Sequence, residues 1–202
     1  MQRIFRSVFG AGIVLGLIMA AATPALAGDR EAQVDRSQGH FVRWDIVQII
    51  NGVVLPGGTA VSQDAATGDR VSLTGSGQAK PAPRQATGGG TFVHRHADGT
   101  VFAQGVYYVT GFVSWNPAGG SLVGTGLIDG VGPIDETSSG DLALRVHLVP
   151  NGGGAGLDGV LTIHCHLPGA VRDIPEGVSL AVGPFHFEPV EGQGFTLFHI
   201  LH

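Results

Sequence analysis

Residues Val160 to Leu167 read VLTIHCHL, and a β-strand sorts them into two coherent faces. Successive side chains of a strand point to opposite sides. Leu161, Ile163, Cys165 and Leu167 then share one face, and Val160, Thr162, His164 and His166 share the other. The first face is wholly apolar. Cys165 is therefore expected in the core, where a free thiol behaves as a small hydrophobe, with His164 and His166 on the opposite surface. Immediately upstream, Leu142 to Val149 repeats the pattern: Leu142, Leu144, Val146 and Leu148 face one way, Arg145 and His147 the other. The Gly-rich connection from Pro150 to Asp158 suits a long-looped hairpin. Paired in that way, Arg145, His147, Thr162, His164 and His166 occupy one common surface.

Further out the same punctuation recurs. Thr91–His96 and Thr100–Trp115 flank Ala97-Asp98-Gly99, and Asp-Gly between β-rich runs is a strong hairpin signal. Gly105 and Gly111 within the second arm are expected at bulges or bends. FVRWDIVQII, residues 41–50, is rich in β-branched and aromatic side chains and closes on Asn51-Gly52, which reads as a strand and a turn. Val71–Gly75, Leu122–Asp129, Val178–Glu188 and Gly194–Leu201 are further strand segments. Leu55–Gly68 and Ser76–Gly90 read as loops, the second as a long surface loop. No 3.6-residue apolar period appears beyond the N-terminal segment. Short connections imply antiparallel pairing, and exposed edges must be hidden. The expectation is an all-β fold, a single antiparallel β-barrel or β-sandwich of about nine strands.

The amino terminus has a different character. Arg3 and Arg6 precede an uncharged apolar run from Val8 to Ala22, and Ala25-Leu26-Ala27 places small residues before Gly28. That order is the order of a cleavable signal peptide. The apolar run is 15 residues, short of the roughly 20 that span a bilayer as a helix. Residues 1–27 are read as a signal peptide, 28–39 as a flexible lead-in and 40–202 as one domain. The mature chain is then exported, periplasmic or extracellular, with no stable membrane span after cleavage. Removing Arg3 and Arg6 leaves 9 basic against 16 acidic side chains, and no Lys/Arg cluster offers a nucleic-acid surface. Gly is unusually frequent, at 34 of 202 residues. Cys165 is the only cysteine, so no intramolecular disulfide can staple the fold.

Nine histidines stand out against that composition. His94 and His96 form one same-face pair, His164 and His166 a second, and His186 with Glu188 a third alternating pair. Two neutral imidazoles on a strand face can chelate a divalent metal when a third ligand is near. His147 could complete the His164/His166 pair, and Asp98 the His94/His96 pair. The alternative role for each is an ordinary solvated polar face. No G-x-S-x-G elbow, P-loop or dinucleotide fingerprint is present.

Three resemblances attach to particular residues. His164-Cys165-His166 looks like the H-C-H core of multicopper oxidases, but Leu167 to Arg172 supplies neither the following histidine nor the methionine. The chain is also shorter than that family needs. Gly90-Thr91-Phe92-Val93-His94-Arg95-His96 followed by Gly105 to Gly111 resembles the first motif of cupins, with Ile174-Pro175-Glu176-Gly177 and His186 loosely similar to the second. That resemblance implies a metal-binding barrel enzyme using His94 and His96; the glutamate expected after the H-x-H is missing. From about Val71 to Leu201 the chain resembles a group of exported bacterial Gly-rich β-proteins. The features are Leu73-Thr74-Gly75-Ser76-Gly77, Gly88 to Phe92, Cys165 to Gly169, Glu176-Gly177-Val178 and Thr196 to His199. It implies kinship of fold and carries no catalytic residues across. The leading expectation is a non-enzymatic ligand-binding or interaction domain. A cupin-like metal enzyme and a self-assembling envelope or surface component are the alternatives.

Overall fold

The computed structural model describes residues 41–201. The signal peptide and the lead-in expected over 1–39 lie outside the described residues. The described chain is all-β, with thirteen strands and one 3-10 turn at Ile134–Glu136. None of its helices is long and apolar enough to cross a membrane.

The strands are β1 (Phe41–Ile50), β2 (Val53–Pro56), β3 (Ala60–Asp64), β4 (Arg70–Leu73), β5 (Ser76–Lys80), β6 (Gln85–Arg95) and β7 (Val101–Gly119). They continue as β8 (Ile128–Asp129), β9 (Thr137–Pro150), β10 (Leu157–Cys165), β11 (Gly177–Val182), β12 (Phe185–Pro189) and β13 (Phe195–Leu201). Their ladders close on themselves. From β9 the pairing runs through β10, β11, β12, β3, β4, β6, β5, β1 and β13 and returns to β9, a closed antiparallel barrel of ten strands. The sandwich alternative is thereby removed.

Long β7 pairs with both β6 and β9 and splits the ring into two circuits. One passes through β10, β11, β12, β3 and β4, the other through β13, β1 and β5. The wall forks because β9 pairs with β10 over Gly140–Leu148 but with β13 at Thr137 and Ser138. On the opposite side β6 pairs with β4 over Phe92–Arg95 and with β5 over Gln85–Gly89.

The alternation read from Val160–Leu167 holds. Leu161, Ile163 and Cys165 are fully buried, Leu167 is buried, and Leu142, Leu144, Val146 and Leu148 pack beside them in one core. β10 and β9 form the expected hairpin, with His147 opposite Asp158 and His164 opposite Asp141. The Ala97-Asp98-Gly99 hairpin also forms. Only Gly99 there has positive φ (88°), so the turn is a three-residue loop and not the two-residue type that puts both central residues at positive φ. That type is met at Asn51 (φ 52°) and Gly52 (φ 79°) between β1 and β2. Gly111 sits at a register shift between β7 and β9, whereas at Gly105 the Val149 carbonyl leaves no room for a side chain.

Three expectations need correction. Ser76–Gly90 is not a surface loop; its Gly, Gln and Ala residues form β5 and the start of β6. Leu55–Gly68 contains β3, whose Ser62 and Asp64 are buried because Ser62 Oγ donates to the Val178 carbonyl and Asp64 accepts the His186 amide. Leu122–Asp129 is mostly a covering loop, with only β8 extended. Polar and Gly-rich composition disguised the first two, and the count of nine strands fell short accordingly.

Gly is needed here for thickness. Trp44 of β1 pairs with Gly77 of β5, which pairs with Gly88 of β6. A Cβ built on either glycine would lie within 3.0 Å of the Trp44 indole and closer still to backbone. Trp115 likewise covers Gly140 and meets the Phe198 ring edge-on at 4.8 Å. Gly77→Ala is expected to lower unfolding free energy by about 1–3 kcal/mol through overpacking. Gly111→Ala, where the added methyl meets nothing nearer than 3.7 Å, should change it by less than about 0.5 kcal/mol. Urea denaturation of both variants checks the contrast.

Candidate functional site

At the fork β10 and β13 part company, and backbone N–H groups there have no strand to bond. Side chains take them. Ser139 Oγ accepts the Leu167 amide at 2.7 Å. Glu176, just before β11, spans the gap: Oε2 accepts the His166 amide at 2.7 Å and Oε1 the Thr196 amide at 2.6 Å, while the Thr196 hydroxyl lies between the His164 carbonyl, 2.5 Å away, and Oε1, 3.0 Å away. The Cys165 thiol donates to the Thr196 carbonyl from the core side. Buried backbone polar groups require such partners.

A cavity of about 450 Å³ opens beside this carboxylate, a size typical of small-molecule sites. Its walls are the β1–β2 hairpin (Val47, Ile49, Val54), the covering loop (Leu122, Thr125, Leu127) and β13 (Phe195, Leu197). Glu176, Thr196 and His166 supply nearly all its polarity. A second recess of about 380 Å³ shares Glu176 and His166 and is bordered by Glu191. Burial pushes the Glu176 carboxyl up to about 7, against three hydrogen bonds that pull it down. The same burial, with the Glu176 charge behind it, pushes the Cys165 thiol well above its ordinary value, so Cys165 is no nucleophile. A carboxyl titrating near neutrality in an apolar recess is a recognised mark of a functional site.

The histidines singled out from sequence are brought to four different places. His94 Nε2 and His96 Nδ1 both bond Asp69 Oδ2, at 2.9 and 3.1 Å, while Asp98 is spent on Thr100. Burial acts to raise Asp69, but the two imidazoles outweigh it and hold the carboxyl below its usual range. Phe102, Phe185 and Phe187 surround His94 edge-on at 4.7–5.1 Å, leaving only about 60 Å³ of apolar space there. His147 bonds Asp158 at 2.7 Å on the exposed surface. His166 lies at the cavity, 3.9 Å from Asp173.

His164 belongs to a ladder across β9–β12. Its Nδ1 lies 2.7 Å from Asp141 and its Nε2 2.9 Å from Ser179; the Ser179 hydroxyl donates to Glu188 at 2.8 Å, and His186 completes the row. Burial acts to raise Asp141, but His164 and then Arg172 outweigh it and hold that carboxyl low. Asp–His–Ser contacts of this kind invite a hydrolase reading. Here the serine hydrogen is spent on Glu188, and that carboxylate would repel an oxyanion forming beside it. The ladder is structural cross-strand pairing. Among the described residues no group of three or more His, Cys, Asp or Glu side chains converges as a metal cage.

Sequence reasoning placed His166 and missed Glu176 as a functional group. Glu176 follows Pro175 in an irregular connection, where neither two-residue nor 3.6-residue periodicity gives a direction. No family model, curated protein or solved structure matches the chain.

The folded chain holds the Glu176 proton more tightly than the unfolded chain, so protonation of Glu176 favours the fold. That contribution is complete below about 4.5, the ordinary value, and is lost as pH rises through about 7. The urea midpoint of the wild type minus that of Glu176→Gln should therefore fall between about pH 4.5 and 7; a difference that stays level contradicts the buried acid.

Proposed function

We propose that this chain is a non-enzymatic, exported binding protein whose barrel takes a small, largely apolar molecule in the cavity at the fork. The observation that carries the reading is the cavity itself: about 450 Å³, walled by aliphatic and aromatic side chains, with one carboxyl at its polar end. Ligand pockets characteristically combine an apolar wall with a few convergent polar groups. Ile49 and Phe195, two of the wall residues, are exposed, and covering them with a ligand removes apolar surface from water. The N-terminal charge and hydropathy pattern supports export, and a periplasmic or extracellular location follows from it.

Binding without chemistry is favoured because the groups able to do chemistry are already engaged. His94 and His96 share Asp69, His164 is locked between Asp141 and Ser179, and Cys165 is buried in the core.

Nile red, a neutral apolar dye, should bind with a rise in fluorescence. Leu127→Trp, which places an indole in the cavity wall, should weaken that binding at least about tenfold, roughly 1.4 kcal/mol, while the urea midpoint stays near wild type. Equal affinity of the two proteins for the dye, or no binding by the wild type, contradicts the assignment.

A further inference from the structure

The chemical class of the ligand follows from the polar end of the cavity, and this inference rests on the binding reading above. A carboxylate offers about four acceptor positions. On Glu176 the His166 amide takes one on Oε2 and the Thr196 amide one on Oε1; the single Thr196 hydroxyl hydrogen has a shorter contact to the His164 carbonyl, 2.5 Å, than to Oε1, 3.0 Å. At least one position, on Oε2, is left. Among the described residues, no Lys or Arg side chain lines either the main cavity or the recess that shares Glu176 with it. The ionisable groups facing Glu176 are His166, itself near Asp173, the Cys165 thiol behind it, and Glu191 across the recess. The local balance is negative and the neighbouring walls are oily.

Folding has therefore removed much of the water from a carboxyl while giving it, among the described residues, no Lys or Arg partner and only the His166 imidazole nearby. A half-buried charge left uncompensated is costly, and a cation placed against it recovers Coulomb energy with less new dehydration than an exposed carboxylate would need. The incoming cation does lose its own water, which limits the gain. An anionic ligand would be repelled by Glu176 and Glu191 together. An alcohol could donate to the same oxygen but would leave the charge uncompensated.

We propose that the cavity takes an apolar primary amine, its ammonium donating to Glu176 Oε2 and its tail lying among Val47, Leu122, Leu127, Phe195 and Leu197. The ammonium would sit where the main cavity and the recess meet, with Glu191 as the farther of two acidic groups.

The test is displacement of Nile red from the full mature chain by octylamine, octanol and octanoate at about pH 8, where the amine is charged and Glu176 ionised. Octylamine should compete at least about tenfold more strongly than octanol, and octanoate more weakly than either. Glu176→Gln should erase the amine advantage while still binding the dye. Should that variant fail to fold, the wild type at about pH 5 serves the same purpose, since Glu176, pushed up to about 7, is then largely protonated; an amine advantage undiminished there overturns the proposal. Dye binding with octylamine no better than octanol also overturns it and leaves the binding cavity standing. Absence of any dye binding removes the cavity reading itself.

Discussion

Where β9 changes partner from β10 to β13, the barrel wall divides, and the two strands that separate would leave buried amides without acceptors. One carboxylate spans the division. Glu176 holds His166 at the end of β10 and Thr196 at the start of β13, while Ser139 holds Leu167. The ladders close the barrel; the bridge satisfies the amides at the fork and gives the mouth of the cavity its carboxylate. The arrangement places an ionisable group where an uncharged acceptor could have served the backbone, and burial raises its proton affinity as a consequence. The structural role and the proposed binding role belong to the same atoms.

Inside the wall, bulk and absence of bulk are matched. Trp44 lies against Gly77 and Gly88, and Trp115 against Gly140. Two indoles fill a lumen that aliphatic side chains of ordinary size would leave partly empty, and glycines let the facing strands come near. The composition that resembles a loop-rich or disordered chain is in this protein a packing solution.

Much of the architecture could be read from alternation alone. Val160–Leu167 and Leu142–Val149 sort correctly because one face of each is continuous hydrocarbon, and Asn51-Gly52 and Asp98-Gly99 announce their turns. Reading failed where the strand faces carry no contrast. Ser76–Lys80 and Gln85–Gly90 have few apolar side chains, and at Gly77 and Gly88 the Trp44 indole lies where a side chain would be. His94 and His96 share a site as their same-face pairing implied, whereas His166, past the end of β10, lies at the cavity apart from His164, and the partners of all four were not legible. Asp69 reaches His94 and His96 across the β4–β6 ladder, and Asp141 reaches His164 by cross-strand register; register is fixed by the closed sheet and not by local spacing. Glu176 was invisible for a different reason. Its position depends on a fork that no single strand encodes.

The proton affinity of Glu176 is the property on which the bridge, the cavity and the ligand class converge. It can be followed directly by carbon-13 NMR, titrating the side-chain carboxyl resonance in the intact protein and assigning it with Glu176→Gln. The account requires a midpoint near about 7, well above the ordinary 4.5. A Glu176 resonance that titrates at the ordinary value would mean a hydrated carboxylate, and the fork would then be held without the buried acid described above.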